Sequence, residues 1–247
     1  MKKTILKSLQ TTIQGKVFSD KEFREFYSVD ASSYKIIPKV IVVPKNENDV
    51  ISTIKIAKKN KISVTVRGAG TGLVGSALND GIILDMKNFD SVKIRKNYVI
   101  VGPGTIKGKL DRKLEEEKKF FPPNPSIGSF CSVGGMLGNN SSGSRSLKYG
   151  SVIDNVEEVT FVSGEGKKIT LPKNKKIANK IIKFSNKIED KKFPDVTKNS
   201  SGYRIDKTRI IQDSHKIIIG SEGTLGIILS AKLKIKTKPN FNQFYYE

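Results

Sequence analysis

The sequence predicts an α+β chain folded as two lobes, and three features carry that expectation. Pairs of short β-branched runs read as hairpins beside amphipathic helices, without the steady strand–helix alternation of a doubly wound sheet. A β-α-β-loop-β order over residues 27–90 describes a small first lobe. A longer mixed segment, residues 91–237, supplies a second. With 247 residues, the chain can bury a sizeable core as one domain or two small lobes.

The elements follow in order. Residues 1–26 form a helical arm, with Ile5, Leu6 and Leu9 at helical spacing. Val40 to Val43 is a strand ending at Pro44. Asn46 then caps a helix whose Val50, Ile51, Ile54 and Ala57 share one face. Residues 62–66 and 82–85 are strands on either side of a glycine-rich loop. Val92–Ile94 and Tyr98–Val101 form a hairpin turning at Lys96-Asn97. Thr105 opens a helix with Ile106, Leu110 and Leu114 buried. The strand Val156 to Val162 turns at Gly164-Glu165-Gly166 into Lys168 to Leu171. A strand from Lys216 to Gly220 and the alternating run Ile227 to Ile235 complete the second lobe, and residues 238–247 are a tail. Residues 173–192 interrupt this lobe with eight lysines and a stripe of Ile177, Ile181, Ile182, Phe184 and Ile188. The plain reading is a solvated helical insertion packed by that stripe. The sharper one is a basic docking helix for an acidic partner or an anionic lipid surface.

Residues 67 to 76 carry the strongest chemical signal. A buried strand runs directly into Arg67-Gly68-Ala69-Gly70-Thr71-Gly72-Leu73-Val74-Gly75-Ser76. Glycines there leave backbone N–H groups unshielded, so the loop can wrap a phosphate or pyrophosphate with Arg67 at its mouth. Taken alone, an ordinary glycine-rich turn explains it equally well. No Lys-Ser/Thr pair follows, which excludes a Walker loop, and residues 77–81 read as a turn where a Rossmann helix would begin.

Two more glycine clusters, Cys131 to Gly143 and Gly220 to Ile228, complete a recognisable set. The chain resembles the FAD-linked oxidases of the vanillyl-alcohol oxidase and p-cresol methylhydroxylase type, nearest to their glycolate oxidase, D-lactate and D-2-hydroxyglutarate dehydrogenase branch. Landmarks from about Tyr27 to Lys236 stand in family order, including Val43-Pro44, Phe121-Pro122-Pro123-Asn124-Pro125, Lys148-Tyr149-Gly150 and Gly202-Tyr203. The resemblance implies FAD held between two lobes of that fold, with Arg67, Gly68, Gly70, Thr71, Gly72 and Gly75 around the pyrophosphate. It implies Gly134, Gly135, Asn139, Asn140, Ser142 and Gly143 along the pyrophosphate, ribityl chain and ring. Asn139 and Ser142 depart from the family's usual Thr and Gly. Tyr149 would neighbour the ring, its plain role being core packing, and the Ile228 backbone would face the nucleotide end.

The same resemblance implies hydride removal from a 2-hydroxy acid. In such dehydrogenases a C-terminal cap domain supplies substrate contacts and catalytic or metal-binding histidines. Here the chain reaches Glu247 just beyond the Lys236–Pro239 linker, so the cap is expected from a separate chain. Alternatives are a non-catalytic or electron-transfer flavin protein, and a UDP-N-acetylmuramate-dehydrogenase-like reductase. The segments Gly220 to Gly226 and Phe121 to Pro125 look like the hydroxy-acid branch instead.

Bulk properties bound the rest. One histidine argues against a His-metal site or a Ser-His-Asp triad, so no metal is expected and no catalytic residue is assigned. No histidine lies in the first glycine loop, where relatives tether the flavin, so FAD is expected to be noncovalent. Glu222 is read as bonding backbone N–H groups of its turn, and Cys131 as a buried small thiol. A single cysteine, no apolar run of membrane length and no secretory signal point to the cytoplasm, leaving peripheral membrane contact open. The formal charge of +21 comes mostly from dispersed lysines with few Arg-aromatic clusters, which argues against nucleic acid.

Overall fold

A computed structural model describes residues 3–189, 193, 194, 196, 199, 200 and 202–239. The end of the basic insertion (190–192) and the tail from 240 lie outside the described residues. Helix α1 (Lys3–Thr12) is followed by strand β1 (Lys16–Phe18) and helix α2 (Lys21–Phe26). Then come β2 (Val40–Val43), α3 (Glu47–Lys59), β3 (Val64–Arg67) and β4 (Ile82–Asp85). The second half runs β5 (Val92–Ile94), β6 (Tyr98–Val101), α4 (Lys107–Glu116), β7 (Lys119–Phe120), α5 (Val133–Gly138) and α6 (Ser146–Tyr149). It ends with β8 (Val156–Val162), β9 (Lys168–Leu171), α7 (Lys175–Ser185), β10 (Ile227–Lys234) and β11 (Lys236–Thr237).

The first sheet has the order β1-β2-β4-β3, with β2, β4 and β3 parallel and β1 antiparallel at one edge. Every residue of β2 and β4 is buried, as expected for apolar runs covered on both faces. The helix expected after Asn46 is α3, and its cap is present: Asn46 Oδ1 accepts from Asp49 N–H at 3.1 Å. The arm expected to be helical throughout contains β1. Asp49, itself 2% exposed, holds this strand, because its carboxylate accepts from the backbone N–H groups of Gln14, Gly15 and Lys45.

The second sheet is antiparallel, with the order β5-β6-β10-β8-β9. Its central strand β10 alternates buried and half-buried positions, matching the period of two read from the sequence. One expectation fails here. Lys216 to Gly220 is not a strand but the end of a 3-10 helix over Ile211–Ile218. Ser214, His215 and Ile218 are the buried positions, a helical spacing that the Ile217-Ile218-Ile219 run obscures.

The two sheets are joined by packing. Val162, Ile227 and Leu229 of the second sheet share a buried cluster with Ile5 and Leu9 of α1, Val50 of α3 and Val40, Val42, Ile82 and Leu84 of the first sheet. A register shift between Ile228 and Ser230 bulges β10 at this junction. Among the described residues no helix is long and apolar enough to cross a membrane.

Candidate functional site

Strands β3 and β4 end together, with Arg67 opposite Asp85. Both carboxyl ends therefore open onto the same edge, the usual ligand edge of a parallel sheet. The glycine loop departs from that edge and is strapped down by the segment at Tyr27. Arg67 Nη2 donates to Val29 O at 2.9 Å, its guanidinium lies 5.3 Å from the Tyr27 ring centroid, and Ala31 N–H donates to Gly70 O at 3.0 Å. Tyr27 Oη donates to Asp85 Oδ2 at 2.5 Å. Burial first, then the adjacent Asp85 carboxylate, pushes the Tyr27 phenol far above its ordinary pKa, so it stays a donor. The cation expected at the phosphate mouth is thus turned toward carbonyl groups that fix the loop.

The facing wall is α5. Ser132 caps it, accepting from Gly135 N–H at 3.2 Å, and Gly134 N–H donates to Pro103 O at 2.8 Å. A Cβ on Gly68 would collide with Ser132 Oγ, and one on Gly134 with Pro103, so these glycines let the walls approach. The third wall is the turn before β10. Gly220 N–H donates to Leu137 O and Glu222 N–H to Gly138 O, which moors this turn to the end of α5.

Between the walls lies a cleft that opens to solvent. Of the residues expected to hold a cofactor, Arg67, Gly68, Gly70, Thr71, Gly72, Gly134, Gly135, Asn139 and Ile228 line it. The other five do not. Gly75 packs against Tyr34, and a Cβ there would meet that ring. Asn140 is buried, its Oδ1 accepting from Ile153 N–H at 2.9 Å to hold the chain after α6. Gly143 bridges to Asn124, Ser142 is half-buried outside the cleft, and Tyr149 packs edge-on against Phe120. Pro103, Pro125, Ser132, Ser141 and the Ser221–Gly223 turn also line the cleft, though none is among the cofactor residues expected from the sequence. All but Pro103 lie within the segments Phe121 to Pro125, Cys131 to Gly143 and Gly220 to Ile228 that the sequence singles out.

The lining suits a long anionic cofactor. Glycine N–H groups and the hydroxyls of Thr71, Ser76 and Ser141 offer donors, while Val64, Val66, Met86 and Ile228 provide apolar surface. A Cβ on Gly138 or Gly223 would meet nothing within 4 Å, so the cleft has room beside both.

Titratable groups in the cleft are Arg67, Cys131 and Glu222. Burial raises the pKa of the Cys131 thiol, so it remains protonated, as read from the sequence. Glu222 departs from its expected role. The carboxylate makes no hydrogen bond or ion pair among the described residues, and partial withdrawal from water raises its pKa. His215 lies elsewhere, buried between the carbonyls of Gln212 and Val156, and burial lowers its pKa. No group of three metal-ligating side chains occurs among the described residues.

Comparison with known proteins gives this cleft a family. The model of the FAD binding domain family matches residues 38–172. The chain is 27% identical to a D-2-hydroxyglutarate dehydrogenase of Pseudomonas putida, over 92% of this chain and 25% of that protein. It is 29% identical to the glycolate oxidase subunit GlcD of Bacillus subtilis, over 87% of this chain and 41% of that one. The chain therefore spans less than half the length of these relatives. Among solved structures, an alkyldihydroxyacetonephosphate synthase superposes with a TM-score of 0.73 at 21% identity, over 98% of this chain and 41% of its own. A 6-hydroxy-D-nicotine oxidase from Arthrobacter nicotinovorans gives 0.67 at 20%, over 91% and 43%. The fold is the two-lobed p-cresol methylhydroxylase type, the matched model spans more than half of the chain, and the chain belongs to the FAD-binding domain family.

Proposed function

We propose that this chain is the FAD-holding part of a dehydrogenase acting on the CH–OH group of a 2-hydroxy acid. The observation that carries this reading is the meeting of three glycine-bearing segments, from β3, α5 and the turn before β10, on one cleft. Similarity to proteins named for D-2-hydroxyglutarate, D-lactate and glycolate supports the substrate class.

When bound, FAD supplies the redox chemistry as acceptor of a hydride equivalent. This chain's part is to bind and orient. Gly68, Gly70 and Gly72, with Thr71, would offer donors to the pyrophosphate, and Gly134, Gly135 and Asn139 would follow the cofactor along α5. Arg67 and Tyr27 keep the loop in place. Cys131 is protonated and His215 lies outside the cleft, which supports noncovalent attachment. A single buried cysteine supports a cytoplasmic setting.

The test is the visible spectrum of the purified chain before and after acid precipitation, followed by FAD titration of Gly138→Leu. A flavin released into the supernatant is expected. The leucine would enter open cleft, so FAD affinity should fall by about tenfold or more, a loss of ~1.4 kcal/mol, with the melting temperature of the apoprotein little changed. A colourless chain that takes up no FAD would sink the reading.

A further inference from the structure

Helix α7 carries a row of lysines that the fold does not use. Its inner side is fully committed. Ala178 and Ser185 are buried, and Ile177 and Ile181 pack against the core of the second lobe, a cluster that includes Val159, Leu171 and Ile218. Ser185 Oγ and Thr208 Oγ1 share a buried 2.7 Å hydrogen bond, and Arg209 donates to the carbonyl oxygens of Ser185 and Ile188 beyond the helix. Lys176, Lys180 and Lys183 follow one another at spacings of four and three on the outer side. Lys187 continues the row just past the cap residue Asn186. All four are exposed, and among the described residues none forms an ion pair. Phe184, expected in the packed stripe, stands beside the row instead and is 56% exposed.

This arrangement works against the helix that bears it. Like charges three and four residues apart repel, and lysines in the first turn oppose the helix dipole. No acidic residue lies in α7 to offset either effect. Elsewhere on the surface lysines sit beside acids, as in Lys168–Glu47, Lys58–Glu165 and Lys232–Glu157. A dispersed lysine bias accounts for those pairs but not for an uncompensated row with an aromatic ring at its edge.

We propose that this face seats the protein on an anionic lipid bilayer. Four ammonium groups on one side of a rigid helix match a plane of phosphate headgroups, and Phe184 is placed to enter the acyl boundary between them. Lysine serves such a diffuse plane as a point charge, whereas paired phosphodiester recognition favours arginine forks and several stacking rings, which α7 lacks. An acidic protein would find no free apolar groove on α7, because Ile177 and Ile181 already pack against the core of the second lobe.

Co-sedimentation of the full chain with vesicles tests this, and binding needs no FAD. With vesicles of phosphatidylcholine containing roughly a third phosphatidylglycerol, at about 0.1 M salt, the protein is expected to pellet. It should stay in solution with phosphatidylcholine alone. Each lysine is expected to contribute about fivefold, so K176Q/K180Q/K183Q/K187Q should lower partitioning by about a hundredfold or more. F184S should lower it by about tenfold, with a deficit that persists in high salt. A charge-matched set of exposed lysines elsewhere, K7Q/K16Q/K59Q/K96Q, should lose much less. Melting curves confirm that each variant is folded. Equal binding to neutral vesicles, no binding to anionic ones, or equal losses in the two lysine sets would overturn the proposal. So would retention on a heparin column without vesicle binding.

Discussion

Glu222 shows how a residue's neighbours can mislead about its role. Set between Ser221 and Gly223, its carboxylate reads as a clasp on backbone N–H groups, yet the structure leaves it without a partner in the cleft. The turn is instead held by the backbone bond from Glu222 N–H to Gly138 O and by Thr224 Oγ1 donating to Ser221 O. Glu222→Gln is therefore expected to leave unfolding stability within about 0.5 kcal/mol by urea titration, while altering FAD affinity. A loss of several kcal/mol would restore the clasp reading. The same contrast runs through the rest of the site. Glycines exposing N–H groups were legible at 68–72 and 134–135 because they cluster in sequence, and at Gly68 and Gly134 a Cβ would collide with the facing wall. The turning of Arg67 toward Val29 O was not legible, since it depends on a segment 38 residues away.

At the scale of elements, long-range ties decided what local pattern could not. Strand β1 has only three residues, too few for a period to show, and it exists because Asp49 gathers Gln14, Gly15 and Lys45 around one carboxylate. Asp49→Ala leaves those part-buried donors without their shared acceptor and is expected to cost about 2 kcal/mol. Hydrogen exchange should report lost protection over Lys16–Phe18 before β2 and β4 are affected. Unchanged protection of β1 would mean that its pairing with β2 suffices. The 3-10 helix at 211–218 teaches the opposite lesson. Three consecutive isoleucines imitate a strand there, but His215, buried with its ring nitrogens 2.9 and 3.0 Å from the carbonyl oxygens of Gln212 and Val156, fixes a helical turn. Long, strongly periodic elements such as α3, β8 and β10 were readable from sequence because their buried face repeats often enough to be unmistakable.

For the whole molecule, the shared cluster of Val162, Ile227 and Leu229 with the first sheet makes the two lobes one energetic unit. Calorimetry should give a single transition in which the van't Hoff and calorimetric enthalpies agree. Two resolved transitions would show that the junction contributes little. The position of β10 has a further consequence. It lies between β6 and β8, both of which precede it in the chain, and it carries Ile227 and Leu229 into the junction and Ile228 into the cleft. During synthesis on the ribosome, the β5–β6 and β8–β9 hairpins must wait with open edges until that strand emerges. The nascent chain therefore cannot assemble its nucleotide pocket piecemeal, and its unpaired edges stay exposed to aggregation or chaperone capture until the last wall arrives.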